Sequence, residues 1–397
     1  MLDVARVQTA LAAHHEALAL TPDRMIPGHR VGLLFGGAQA YPAMLDAIAS
    51  ARSEILLETY IWAADANGRR FVDAVCIKAQ EGVHVRCVAD GAGSFGFVTG
   101  PDVERMRAAG VRLAVFHPVG PWRRRWGWQV RDHRKLLIVD GRVAFAGGMN
   151  IGDDYAPTDW GGRGWNDVQV QIEGPVVREL QRHFDMSWRY STPWTFERLH
   201  EGRAIIADPP PVHGSTTRVQ PLAVGRFLAR RNIQRPLTHA IGAARERIWI
   251  ESAYFLPNRT LRAYLRRAAR RGVDVRVITP RDSDVPFLGD ASRYTWTTLL
   301  KAGVRLYEWL PGMLHSKTVC IDGAWSTVGS YNLDSRSLLY NWEVTLAVLD
   351  TGVAARLEEK FLLDLEMSEP VDPARWRRRG LLRKMRERFL YFFRLWL

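Results

Sequence analysis

The sequence predicts an α/β protein built as an internal duplication, with two similar α/β/α units related by a pseudo-twofold axis and an active site at their interface. Three observations predict it. A phrase of the form H-x-K-x4-D occurs twice, as His133, Lys135 and Asp140 and again as His315, Lys317 and Asp322. Each copy runs on to an asparagine at the same offset from its histidine, through Gly147 and Gly148 to Asn150 and through Gly329 and Ser330 to Asn332. The chain ahead of each copy also repeats: residues 51–60 resemble 244–254, 81–86 resemble 271–276, and 109–113 match 302–306.

Each half reads strand, helix, strand and hairpin. Helical stretches over Arg70–Gln80 and Leu261–Arg271 end near a glycine, Gly82 or Gly272, the common stop signal of a helix. Strand side chains alternate faces, so His133 and Lys135 point the same way. Leu136 to Val139 is an apolar run of strand formers, and Asp140-Gly141 is a two-residue hairpin signal. That turn sets Gly148 opposite His133 with Asn150 on the same face. The second copy, turning at Asp322-Gly323, sets Ser330 opposite His315 with Asn332 just beyond. Each half thus offers an imidazole, an ammonium and an amide on one surface. Asp140 and Asp322 belong to the motif as a catalytic signature, but they stand an odd step from the lysine, in the turn, and read as fold-determining. Glu58 and Glu251 recur at matched strand positions, with packing and cleft hydrogen bonding as equal alternatives. The expected boundaries are a first unit over 1–206, a linker at 207–217 containing Asp208-Pro209-Pro210-Pro211, a second unit over 218–368 and a tail over 369–397. Halves of this size bury their own cores.

The paired motif resembles the phospholipase D superfamily. The run Gly329 to Ser337, the triplet Asn341-Trp342-Glu343, Gly312-Met313-Leu314 and the stretch Tyr41 to Leu45 are more specifically similar to bacterial cardiolipin synthases, over about Val31 to about Ser368. The resemblance implies phosphodiester chemistry through a covalent phosphohistidine, with His133 as nucleophile and His315 as acid and base; the residues themselves leave that order open. Lys135 and Lys317 would neutralise the non-bridging oxygens, and Asn150 and Asn332 would donate to them. Glu343 and its counterpart Asp167 would each orient the histidine of the opposite half. No cofactor and no metal are expected: no His, Cys and carboxylate cluster has ligand spacing, and the lysines already supply positive charge. The implied reaction joins two phosphatidylglycerols into cardiolipin with loss of glycerol, with phosphatidylethanolamine as a further possible donor. The competing readings are a phospholipase D that uses water as acceptor, a nuclease of the same superfamily and a catalytically silent membrane binder.

Charge points to the partner class. The chain carries 55 Lys and Arg against 42 Asp and Glu, a net of +13. Between Arg375 and Leu397 there are nine basic residues and one acid. Leu382, Met385, Phe389, Phe392, Phe393 and Trp396 recur there at helical steps, so a basic helix with an aromatic face is expected to meet an anionic membrane surface, Arg383 included. A second aromatic-basic stretch, Trp122, Trp126 and Trp128 among arginines, is extra to the repeat and is expected at the headgroup level. No segment has the roughly 20 apolar residues needed to span a bilayer, and the N-terminus does not read as a secretory signal. Peripheral attachment to the cytoplasmic side of the cell membrane follows as the expectation, without nucleic acid as a partner; the oligomeric state is not legible. Cys76, Cys87 and Cys320 form no disulfide framework and fit a reducing setting.

Overall fold

The computed structural model describes residues 4–120, 129–192, 208–225, 230–285 and 287–394. They group into two compact units. The first-motif unit comprises Pro27–Thr217 and Tyr340–Thr345; the second-motif unit comprises Met1–Ile26, Arg218–Leu339 and Leu346–Leu397. Two short segments therefore depart from the boundaries expected in sequence: residues 1–26 group with the second motif, and 340–345 with the first. Hydrogen bonds account for both. His239 Nε2 lies 3.0 Å from the carbonyl of Ala17, and Arg218 pairs with Glu16 at 2.9 Å, which holds the N-terminal helix Val4–Ala17 in the second-motif unit. The Trp342 amide donates to the Arg131 carbonyl at 2.8 Å, and His133 donates to that of Trp342 at 2.9 Å. Residues 208–217 belong to the first-motif unit, where Gly28 donates to Thr217 and Val212 to Gly28.

After a two-residue strand β1 (Ile26–Pro27), the first-motif unit builds a seven-stranded sheet from β2 (Arg30–Phe35), β3 (Glu54–Thr59), β4 (His84–Asp90), β5 (Arg112–Phe116), β6 (Leu136–Val139), β7 (Val143–Gly147) and β8 (Val168–Glu173). Its order is β2-β8-β7-β6-β3-β4-β5, with β3, β4 and β5 parallel and β6, β7, β8 and β2 antiparallel. The other sheet contains β9 (Arg218–Val224), β10 (Arg247–Ser252), β11 (Asp274–Pro280), β12 (Arg305–Trp309), β13 (Lys317–Ile321), β14 (Trp325–Gly329), β15 (Glu343–Leu349) and β16 (Ser368–Pro370), in the order β1-β9-β15-β14-β13-β10-β11-β12-β16. Without the short edge strands β1 and β16 the two orders coincide position for position, the signature of the duplication.

The repeat extends to the caps. The helix Ala66–Gln80 is capped by Asp65, which accepts from Gly68, and the helix Arg259–Arg270 by Asn258, which accepts from Leu261. Just past their ends stand Gly82 and Gly272 at φ 89° and 94°, a conformation that glycine takes without a Cβ penalty. Each unit has its own apolar core: Tyr41, Phe71, Val85, Leu137 and Phe145 in the first, and Leu265, Val277, Trp296, Val319 and Trp325 in the second.

The hairpins differ from expectation by one residue. Asp140 and Gly141 both take positive φ, and Arg142 closes the turn on Val139. Pairing resumes at Val139–Val143, so Arg142 is an extra residue and the partners run Leu136–Ala146. The second hairpin does the same, with Ile321 opposite Trp325. The facing of Gly148 to His133 and of Ser330 to His315 is therefore corrected: the ladder ends before it reaches them.

Candidate functional site

Each motif histidine lies just before its strand rather than on it, because β6 starts at Leu136 and β13 at Lys317. The expected common direction of histidine and lysine holds all the same. The Tyr60 ring packs edge-on against His133 at 5.0 Å, and its centroid is 5.2 Å from Lys135 Nζ, close enough for a cation–π contact. Lys317 Nζ lies 2.8 Å from His315 Nδ1. Each lysine also donates to the carbonyl of its own histidine, at 2.6 Å for Lys135. His133, Lys135, His315, Lys317, Asn150 and Asn332 are all buried. Each half therefore brings its imidazole and ammonium together, with the asparagine buried as well.

Asn150 is held on both ends of its amide: Oδ1 accepts from the Ile61 backbone at 3.0 Å and Nδ2 donates to the Tyr155 hydroxyl at 2.7 Å. Tyr41 donates to the Asn150 carbonyl at 2.9 Å, which fixes the backbone there. In the second unit the Asn332 Oδ1 is buried with no hydrogen-bond partner among the described residues.

Glu343 reaches His133. Its Oε2 lies 3.0 Å from His133 Nδ1, and both side chains are buried in the first-motif unit. A carboxylate only accepts, so Nδ1 carries the proton, and in the neutral ring the lone pair falls on Nε2. Asn341 donates to the other Glu343 oxygen at 3.3 Å. Asp167 is fully buried; its Oδ1 accepts from Val168 at 2.7 Å. A Cβ on Gly148 would fall 2.3 Å from the same carboxylate, which explains why a glycine stands there.

The motif aspartates sit in the hairpin turns, at the far ends of β6 and β13 from the lysines. Asp140 accepts from the amides of Arg52, Ser53 and Glu54 at 2.8–2.9 Å and from the Ser53 hydroxyl at 2.7 Å. Asp322 accepts from Arg245, Glu246 and Arg247 at 2.8–2.9 Å and binds His14 Nε2 at 2.7 Å. Burial pushes both carboxyls up, yet these hydrogen bonds outweigh it and hold both below the ordinary aspartate range.

Glu58 and Glu251, the matched acids, are buried on the central strands beneath the motifs. Lys360 donates to Glu251 at 2.9 Å and pairs also with Asp364; burial, opposed by Lys360, pushes Glu251 up to about 7. Burial and the neighbouring Asp132 raise Glu58 well above its usual range, with Arg134 opposing. Arg134, between the motif histidine and lysine, is itself fully buried. It donates to the His183 carbonyl and Ser187 hydroxyl and lies over the Trp342 ring at 5.0 Å. Asp90 accepts from the Asp132 amide at 3.0 Å, and its burial raises it to about 6. Tyr60, Asp90 and Arg134 were missed in sequence. Tyr60 had a signal, since Tyr254 closes the matching repeat and stands edge-on to His315 at 6.2 Å.

The tail helix Leu381–Phe392 packs on the helix Leu288–Leu300 of the second-motif unit. Tyr391 meets Tyr294 at 4.5 Å, Arg386 pairs with Asp290 at 2.6 Å, and buried Glu387 holds Arg379 at 2.9 Å and Arg383 at 3.4 Å. Leu382, Met385, Phe389, Phe392 and Phe393 stand exposed on its outer side. Trp122, Trp126, Trp128 and Trp396 lie outside the described residues. No helix among the described residues is long and apolar enough to cross a membrane.

Comparison with known proteins agrees with this architecture. The family model described as "Cardiolipin synthase, PLD-like domain" matches residues 44–188 and 237–365. A probable cardiolipin synthase of Bacillus subtilis is 32% identical over 91% of this chain and 71% of its own length. Cardiolipin synthase A of Yersinia pseudotuberculosis is 34% identical over 93% of this chain and 76% of its own. Among solved structures, a phosphatidylserine synthase of Haemophilus influenzae superposes with a TM-score of 0.70 at 13% identity, over 99% of this chain and 100% of that one. A polyphosphate kinase of Porphyromonas gingivalis gives 0.59 at 17% identity, over 87% of this chain and 49% of that one. At those identities the two structures speak for the fold alone.

Proposed function

The chain belongs to the cardiolipin synthase family of phospholipase D-like proteins, and from that premise we propose that it joins two phosphatidylglycerols into cardiolipin through a phosphohistidine. In this reading the two half-sites act on one phosphorus atom. Neutral His133 attacks through Nε2; the P–N bond forms and the P–O bond to glycerol breaks. His315, protonated, gives its proton to the departing alkoxide. A hydroxyl of the second phosphatidylglycerol then loses its proton to His315 and attacks phosphorus, and the P–N bond breaks. One phosphodiester replaces another, so no nucleotide is needed. Lys135 and Lys317 neutralise the non-bridging oxygens as charge grows on them, with Asn150 and Asn332 as neutral donors.

The observation that carries this reading is the His133–Glu343 pair at 3.0 Å. Glu343 follows the second motif in sequence, yet its segment belongs to the first-motif unit and is flanked on both sides by chain of the second. By the same repeat, Asp167 is the orienting acid for His315. The exposed stripe from Leu382 to Phe393, with Arg383 beside it, is the face that meets the membrane, peripherally and from the cytoplasmic side; from the sequence alone, Trp122, Trp126, Trp128 and Trp396 are assigned to membrane contact as well.

Mass spectrometry of products from pure phosphatidylglycerol vesicles tests the reaction. Cardiolipin and glycerol in equal amounts are expected. Phosphatidic acid as the dominant product would replace the transferase by a hydrolase, and cleavage of DNA without lipid turnover would replace it by a nuclease.

A further inference from the structure

Beyond the reaction, a second anion site stands on the second-motif unit. A cavity of about 690 Å³ opens between the helices Arg259–Arg270 and Leu288–Leu300 and the C-terminal segment. Among the described residues, none of either motif lines it, and no acid does. The helix Arg259–Arg270 contributes Arg259, Arg262 and Arg266 at three- and four-residue steps, which places them on one face. The C-terminal segment contributes Arg377, Lys384 and Arg388. Thr297 and Thr298 add hydroxyl groups, and Lys301 closes the edge. Arg379 also lines the cavity, but Glu387 holds it with both carboxylate oxygens.

So many like charges around one space repel one another. Arg266 has its Nε buried without a hydrogen-bond partner among the described residues, and an unpaired buried donor is costly. An anion with several acceptor oxygens relieves both conditions, and a phosphate suits guanidinium forks best. The tail helix supplies the second clue. Arg388 follows Met385 by three residues and precedes Phe392 by four, so it borders the exposed apolar stripe. A phosphate in the cavity would have its acyl chains beside that stripe.

We propose that this cavity binds the phosphate of an anionic phospholipid headgroup, as a docking site separate from the two histidine motifs. The inference rests on the reading that the tail stripe meets the membrane. A docked headgroup would hold the unit on anionic lipid, the class of its own substrate and product, while the motifs turn over.

Vesicle sedimentation of the full chain tests it, with phosphatidylcholine vesicles alone and with added phosphatidylglycerol. Arg262→Gln/Arg266→Gln/Arg388→Gln is expected to weaken binding to the anionic vesicles by about tenfold or more. Its turnover of soluble dihexanoyl phosphatidylglycerol should match the parent. A control with the same charge loss on the other unit, Arg107→Gln/Arg142→Gln/Arg182→Gln, should bind nearly as the parent does. If the cavity variant binds undiminished, or no worse than the control, the inference fails. If the triple variant melts early, Arg262→Gln/Arg388→Gln takes its place. Calorimetry with inorganic phosphate separates the source of the anion: micromolar phosphate binding without vesicles, lost in the cavity variant, would overturn the lipid in favour of a soluble anion. Phe389→Ser/Phe392→Ser tests the underlying reading. If that variant binds as the parent does, the membrane face itself is wrong; if it is released while the cavity variant stays bound, only the cavity inference fails.

Discussion

At the scale of single residues the molecule rests on an imidazole held in one tautomer. Glu343 accepts from His133 Nδ1 and so leaves the lone pair on Nε2. Glu343→Gln keeps the shape and removes the charge that stabilises the imidazolium. We expect kcat to fall about 100-fold with KM little changed, read in a phosphatidylglycerol assay; a loss confined to KM would make Glu343 a substrate-binding group instead. Tyr60→Phe should retain most activity and Tyr60→Ala should lose about tenfold, because the ring, through its packing and its face towards Lys135, is the part in contact. Glu343 was legible in sequence through its place after the second motif. Arg134 and Asp90 were not. Arg134 occupies the variable position of the motif, where the second copy has Ser316, and its partners Ser187 and the His183 carbonyl come from a helix some fifty positions away. No local pattern announces a contact of that range.

At the scale of elements, the motif aspartates latch each hairpin to the start of the neighbouring central strand. Asp140→Ala or Asp322→Ala leaves three backbone amides without their charged acceptor, and a loss of about 3 kcal/mol is expected in urea unfolding. Both carboxyls sit below their ordinary value when folded, so each contributes stability above about pH 4, near the unfolded value, and that stability is lost as pH falls through the folded value. Unfolding of Asp140→Asn/Asp322→Asn between pH 5 and 2 should show a shallower acid slope than the parent; an unchanged slope would contradict the latch. Asp-Gly announced the turns but not their register. Positive φ at Asp140 and Asp322 brings the turn round, and one residue more enters the return strand than the pair alone indicates. The C-terminal ends of the duplicated helices were legible through Gly82 and Gly272, whereas the first begins at Ala66 rather than Arg70, its start marked by the Asp65 cap as Asn258 marks the second. The exchange of residues 1–26 and 340–345 between units was not, since it depends on long-range pairs such as His14 with Asp322.

At the scale of the whole molecule, the proposal is that two half-sites of one chain share one phosphorus atom. It rests on the repeated motif, and the coinciding strand orders show the duplication from which it starts. Deleting residues 381–397 should release the protein from anionic vesicles while turnover of soluble short-chain lipid continues, because the tail contributes no group to either motif; loss of both together would tie the tail to the fold of the unit. The most direct test is a double-mutant cycle on the histidines, with kcat measured for His133→Asn, His315→Asn and the pair. Residues that act as one unit are non-additive. Each single variant should lose about 1,000-fold or more, and the double variant should be no worse than the weaker single one. Single variants that each keep about half the activity, with only the pair inactive, would mean two independent sites and would contradict the account.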